Sequence, residues 1–279
     1  MQKRRSQAGE FALLFLMATT GILLANTGAS AQFVENDVNV LFTWTGENAN
    51  DRFGHVIRPL GDVDGDGTTD VGMTTPFLSS GGANAGRVYV FSGATGDTIR
   101  THTGLPGTYF GGDMAGIGDL NGDSLSEYAV SAPGTSGFIT FTAIGEVFLF
   151  DGATGNVLHT WSGAALGDGF GSIVAGGGID TDNGIGDVDG DGTNDIMIGA
   201  NLAVSAGAPR GAVTVFSGAD PDSVLFSRAG AGFASLFGFG LGSLGDLNGD
   251  GFAEIVVGAP NGGPGSIGRV FFFSGLTNT

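Results

Sequence analysis

Beyond residue 40, short apolar runs alternate with clusters of glycine, serine and aspartate, and none sustains the 3.6-residue apolar period of a helix. Three strand patterns recur. One is a short apolar run, at Val71–Met73, Tyr128–Val130, Ile196–Ile198 and Ile255–Val257. The second opens on glycine and closes on phenylalanine, at Gly86–Phe91, Gly145–Phe150, Gly211–Phe216 and Gly268–Phe273, and Ser-Gly or Asp-Gly follows each time. The third lies at Thr98–Gly104, Val157–Gly163 and Val224–Gly230. β-Branched and aromatic residues between glycine turns predict strands throughout.

These patterns recur together, which marks a repeat architecture. Phe53-Gly54, Phe110-Gly111, Phe170-Gly171 and Phe237-Gly238 each precede an acidic loop, beginning at Asp62, Asp119, Asp187 and Asp246. The third spacing is longer, with an insertion around Gly177–Gly184. The repeats span about 53–109, 110–169, 170–236 and 237–279. The last lacks the third strand pattern, and Val40–Gly46 carries that pattern ahead of the first repeat. An unpaired sheet edge invites aggregation. The expected fold is therefore an all-β propeller of four blades, its last blade completed by residues 40–52.

The acidic loops place oxygen-bearing side chains at positions 1, 3, 5 and 9. These are Asp62, Asp64, Asp66 and Asp70; Asp119, Asn121, Asp123 and Glu127; Asp187, Asp189, Asp191 and Asp195; and Asp246, Asn248, Asp250 and Glu254. Position 7 offers a backbone carbonyl, from Thr68, Leu125, Thr193 or Phe252. A hard cation takes about six to eight oxygens at about 2.3–2.6 Å, and alternate residues of a tight loop supply them. The start resembles an EF-hand, but no helices flank it and Met73, Val130, Ile198 and Val257 stand where its last glutamate would be. Calcium fits better than magnesium, with its strict octahedron, so up to four Ca²⁺ ions are expected. The second loop is the weakest, because Ser124 replaces the glycine at position 6.

Charge supports that reading. The chain carries 28 acidic and 10 basic residues, a net charge of −18. Lys3, Arg4 and Arg5 precede an apolar run from Phe11 to about Ala25 and an Ala29-Ser30-Ala31 site, the order of a secretory signal peptide. Cleavage there gives a signal peptide over 1–31 and a mature domain over 32–279, with no lysine and no stable membrane insertion. So acidic a chain disfavours nucleic acid. With no cysteine, a disulfide scaffold is excluded.

Catalytic signatures are missing: no P-loop, no G-x-S-x-G elbow and no H-E-x-x-H. His102 and His159 fall at positions that change type between repeats and read as surface variation. Trp44 and Trp161 read as outer-strand packing. The segments Phe77–Ala85, Gly134–Ile144, Leu202–Arg210 and Asn261–Ile267 are the better binding candidates, as loops on a rigid scaffold.

Phe237-Gly238, then the loop 246–254, then Val257-Gly258-Ala259-Pro260, then Gly268–Phe273, resembles the FG-GAP repeat of integrin α-subunit N-terminal domains. The resemblance covers about residues 40–279. It implies a propeller with calcium between the first two strands of a blade, and adhesion or ligand binding through loops on the opposite face. Integrin heads have seven blades and this chain has four repeats, so its binding face is not carried over. The expected function is a secreted, calcium-binding module for an extracellular protein or glycan. The alternatives are an extracellular polysaccharide-acting enzyme and a structural assembly component. The expected state is a monomer, or a dimer sharing one eight-bladed ring.

Overall fold

The computed structural model of the protein describes residues 39–134, 144–176 and 186–275. The expected signal peptide over 1–31, the insertion at 177–184 and most of Gly134–Ile144 fall outside those residues. Two units are distinguished, Met1–Gly46 and Glu47–Thr279. In the first, residues 39–46 carry no strand, and the rings of Phe42 and Trp44 lie 5.7 Å apart.

The second unit is all-β. Its first sheet is β1 (Ile57–Gly61), β2 (Asp70–Thr75), β3 (Arg87–Phe91) and β4 (Thr98–Thr103), paired in that order. The second is β5 (Met114–Gly118), β6 (Glu127–Ala132), β7 (Glu146–Phe150) and β8 (Val157–Ser162). The third joins β9 (Phe170–Ala175), β10 (Ile196–Ala200), β13 (Ala212–Phe216) and β14 (Val224–Ala229). A small hairpin of β11 (Val204–Ser205) and β12 (Ala208–Pro209) sits on its middle connection. The fourth has three strands among the described residues, β15 (Gly240–Ser243), β16 (Ile255–Ala259) and β17 (Arg269–Phe273). Within these sheets all strand pairings are antiparallel, as expected of propeller blades. The closing strand expected over Val40–Gly46 has no strand assignment, so that role stays an expectation.

Each core lies between two successive blades. Val88 and Val90 of blade 1 pack with Phe110, Met114, Tyr128 and Phe150 of blade 2. Val147 and Leu149 of blade 2 pack with Phe170, Val174, Ile196 and Ile198 of blade 3. Val213 and Val215 of blade 3 pack with Phe237, Ile255 and Val257 of blade 4. The alternation of the glycine-to-phenylalanine strand therefore serves the neighbouring blade: every second residue fills the seam with the next repeat.

The Phe-Gly pair belongs to the same seam. Gly86 pairs with Phe110, and Gly211 with Phe237, as isolated bridges. Gly86, Gly145 and Gly211 all have positive φ. A Cβ on them would lie 2.1, 2.3 and 2.2 Å from the carbonyl oxygens of Phe110, Phe170 and Phe237. Only glycine allows both the left-handed turn and that approach.

Candidate metal centres and their inter-blade supports

Every acidic loop joins the first and second strands of its blade, so all four hang from the same end of the sheets. They close by one scheme. The position-1 carboxylate accepts the N–H groups of positions 4 and 6: Gly65 and Gly67 at 2.7 and 2.8 Å on Asp62, and Gly122 and Ser124 at 2.7 Å each on Asp119. Gly190 and Gly192 donate to Asp187 at 2.7 and 2.9 Å, and Gly249 and Gly251 to Asp246 at 2.6 and 2.8 Å. The side chain at position 3 accepts the N–H of position 5, as Asp64 does from Asp66 and Asn121 from Asp123. That of position 5 accepts the N–H of position 7, from Thr68, Leu125, Thr193 and Phe252. These bonds turn the backbone inward and bring the remaining carboxylate oxygens together.

The residue at position 9 is the anchor. Asp70, Glu127, Asp195 and Glu254 are buried. Their carboxylates accept the N–H of position 2, from Val63, Leu120, Val188 and Leu247. In the first three blades the other oxygen accepts an N–H from Gly93, Gly152 or Gly218, the glycine just past the third strand. A Cβ on those glycines would lie 2.0, 2.3 and 1.9 Å from the position-8 carbonyls of Thr69, Ser126 and Asn194. This is the physical content of the Ser-Gly and Asp-Gly signature.

Carboxylate oxygens fall within 4.8 Å of one another in four groups. These are Asp62, Asp64 and Asp66; Asp123, Glu127 and Asp151; Asp187, Asp189 and Asp195; and Asp246, Asp250 and Glu254. Asp70, Asp119 and Asp191 lie in the same loops but outside these groups. Asp151 is the residue that the reading of the loops missed. It follows the third strand of blade 2, where the other blades have Ser92, Ser217 and Ser274. Ser92 and Ser274 donate to Asp66 and Asp250 at 3.3 and 3.1 Å. Aligning the residue after each closing phenylalanine reveals the position from sequence.

The crowding has an electrostatic cost. Burial pushes the Asp195 carboxyl up to about 7, with Asp189 and Asp191 adding to it against the N–H groups of Gly218 and Val188. Burial pushes Glu127 up to about 6. Asp70 and Asp189 are also raised, mainly by burial. Asp246 is lowered, chiefly by the N–H of Gly251. An all-oxygen, net-negative donor set with no nitrogen or sulfur fits a hard divalent cation.

Neighbouring loops touch. Ser126 of the second donates its N–H to the Asp62 carbonyl at 2.7 Å, and Ala253 of the fourth to that of Asp187 at 2.7 Å. Further supports cross the seams. Asp113, 2% exposed, accepts from Arg58 of blade 1 at 3.0 Å and from the Val174 N–H of blade 3 at 3.1 Å. His102 corrects the expectation of surface variation. Its ring stacks on Phe150 of blade 2 at 4.1 Å, and its Nε2 bonds the Tyr128 hydroxyl at 2.8 Å. Burial, with Arg100 adding, lowers its pKa to about 4. Trp161 is buried as packing: its indole N–H donates to the Pro221 carbonyl at 2.8 Å, and its ring meets Phe216.

The FG-GAP repeat family matches residues 59–91 and 237–273, the first and last blades. The chain carries FG-GAP repeats. Mouse integrin alpha-E is 33% identical over 165 residues, 56% of this chain and 14% of that protein. Human integrin alpha-IIb is 32% identical over 177 residues, 60% of this chain and 16% of that protein. The FG-GAP blades thus span a small part of the curated relatives they match. Among solved structures, the rhamnogalacturonan lyase YesW aligns over 74% of this chain and 40% of its own, at 16% identity and a TM-score of 0.46. The Dos1 propeller aligns over 80% of this chain and 43% of its own, at 11% identity and a TM-score of 0.44. Among the described residues, no helix is long and apolar enough to cross a membrane.

Proposed function

We propose that the protein is an exported, calcium-binding propeller that serves as a binding or adhesion module for an extracellular protein or glycan. The observation that carries the reading is the fourfold oxygen cage: one loop geometry recurs in every blade, with a group of carboxylates drawn together beside each buried anchor. Ca²⁺ would be held by the four carboxylate groups, with the residues at positions 1, 3, 5, 7 and 9 as the ligand pool and Asp151 added in blade 2. The ion neutralises carboxylates that the fold has crowded and partly desolvated. It leaves each loop a rigid strut between the first two strands.

The binding surface in this reading is the opposite end of the sheets, where β2–β3 and its counterparts are joined and where each outer strand leads into the next blade. Exposed apolar residues gather in those connections: Leu105, Leu166, Val204, Phe233 and Ile267. Exposed apolar patches on a rigid frame mark interaction sites. Export rests on the basic, apolar and A-x-A order of residues 1–31 and predicts a mature chain beginning at Gln32.

Isothermal titration of calcium-depleted protein tests the core of the proposal. Saturable Ca²⁺ binding is expected, with one fewer site in Asp189→Ala, and chelation is expected to lower the melting temperature. A chelator-insensitive melt together with no heat of Ca²⁺ binding would overturn it.

A further inference from the structure

The three inter-blade seams are built from the same positions, and half of a fourth seam stands open. Leu60 of blade 1 and Ile117 of blade 2 are fully buried, whereas the equivalent Leu244 of blade 4 is 47% exposed. Val88 and Val90, and their counterparts in blades 2 and 3, are at most 1% exposed; Val270 and Phe272 of β17 are 61% and 63% exposed. On the entering side, Met114 and Val174 are 0% and 3% exposed, and the equivalent Ile57 of blade 1 is 55% exposed. Blade 4 thus presents the face that elsewhere receives the next blade, and blade 1 shows part of the face that elsewhere enters the preceding one.

The order of packing agrees. β1 packs on β5, β5 on β9, and β9 on β15, with no comparable packing of β15 on β1. Gly268 tells the same story. It has the positive φ of Gly86, Gly145 and Gly211, yet a Cβ there would meet only Pro260 of its own blade, at 3.0 Å. The conformation that elsewhere makes room for the next Phe-Gly is kept at Gly268.

We propose that the occupant is a second copy of this chain. Blade 4 of each copy docks on blade 1 of the other, giving two equivalent head-to-tail seams and one closed ring of eight blades. The contact continues an interface the chain already makes three times, and eight blades lie within the about four to eight that propellers use. Related by one two-fold axis, the two contacts close a finite dimer rather than a fibre. The segment 40–46 of each copy leads into blade 1 and repeats the outer-strand pattern.

Size-exclusion chromatography with light scattering, in calcium, reads the assembly directly. The expected mass is twice that of one mature chain, and Val270→Asp combined with Phe272→Asp is expected to return the mass of one chain. Both residues are exposed in the single chain, so an unchanged circular-dichroism spectrum separates lost docking from lost folding. The chain has no cysteine, which allows a second reading. Leu244→Cys protein mixed with Ile57→Cys protein is expected to yield a covalent dimer on mild oxidation. A wild-type particle of one chain mass at all concentrations overturns the proposal. So does a dimer indifferent to the β17 substitutions, or a Leu244→Cys, Ile57→Cys double variant that forms its disulfide within one chain.

Discussion

Ser124 adopts a φ of +70° at a position where the other three acidic loops use glycine. A side chain in that region costs about 1–2 kcal/mol, partly offset because glycine loses more freedom on folding. Ser124→Gly keeps the N–H that holds Asp119. It should stabilise the protein by up to about 1 kcal/mol in urea unfolding, and a loss of stability would count against the strain. His102 makes a different prediction. Its folded pKa of about 4 lies below the ordinary 6.5. The neutral ring's contribution is therefore complete above pH 6.5 and is lost as pH falls towards 4. Allowing for its partial exposure, about 1–2 kcal/mol is at stake. Asp195 and Glu127 titrate nearby with the opposite sign, since their raised carboxyls favour the folded state on acidification. The clean readout is the difference between wild type and His102→Phe, which keeps the ring stack and removes the titration. Wild type should lose more stability than the variant between pH 6.5 and 4.

At the scale of strands and seams, Asp113 joins three blades through one side chain. Asp113→Ala strips a charged acceptor from Arg58 and leaves the buried Val174 N–H without its partner. A loss of about 2–3 kcal/mol in denaturant unfolding is expected; under 0.5 kcal/mol would show the clamp to be idle. Sequence alone exposes some of these elements and hides others, for a physical reason. The loops, the Phe-Gly pairs and the glycine-led strands are governed by turn chemistry and alternation within about 60 residues, and the repeat prints them four times. Asp113 and His102 act through distances between segments that no local pattern encodes. His102 shares its place in the repeat with Trp161 and Arg228, so type variation mimicked a surface site although the ring sits in a seam. The open half-seam of blade 4 was equally hidden, because Val270 and Phe272 read in sequence like their buried counterparts.

Over the whole molecule, the blades form a series in which every core is shared by two consecutive repeats. Charge follows a different geography: the carboxylate-rich loops hang together at one end of the sheets. The series of shared cores also has a kinetic consequence. When each unit is steadied only by its neighbours, opening begins at an unsupported end and works inward, as in linear repeat proteins. Amide hydrogens of β15–β17 in the single-chain variant should therefore exchange before those of β5–β7, which two seams protect. Equal protection in both sets would mean that the series melts as one block. In that case the weak link would lie in the shared loops rather than at the last blade.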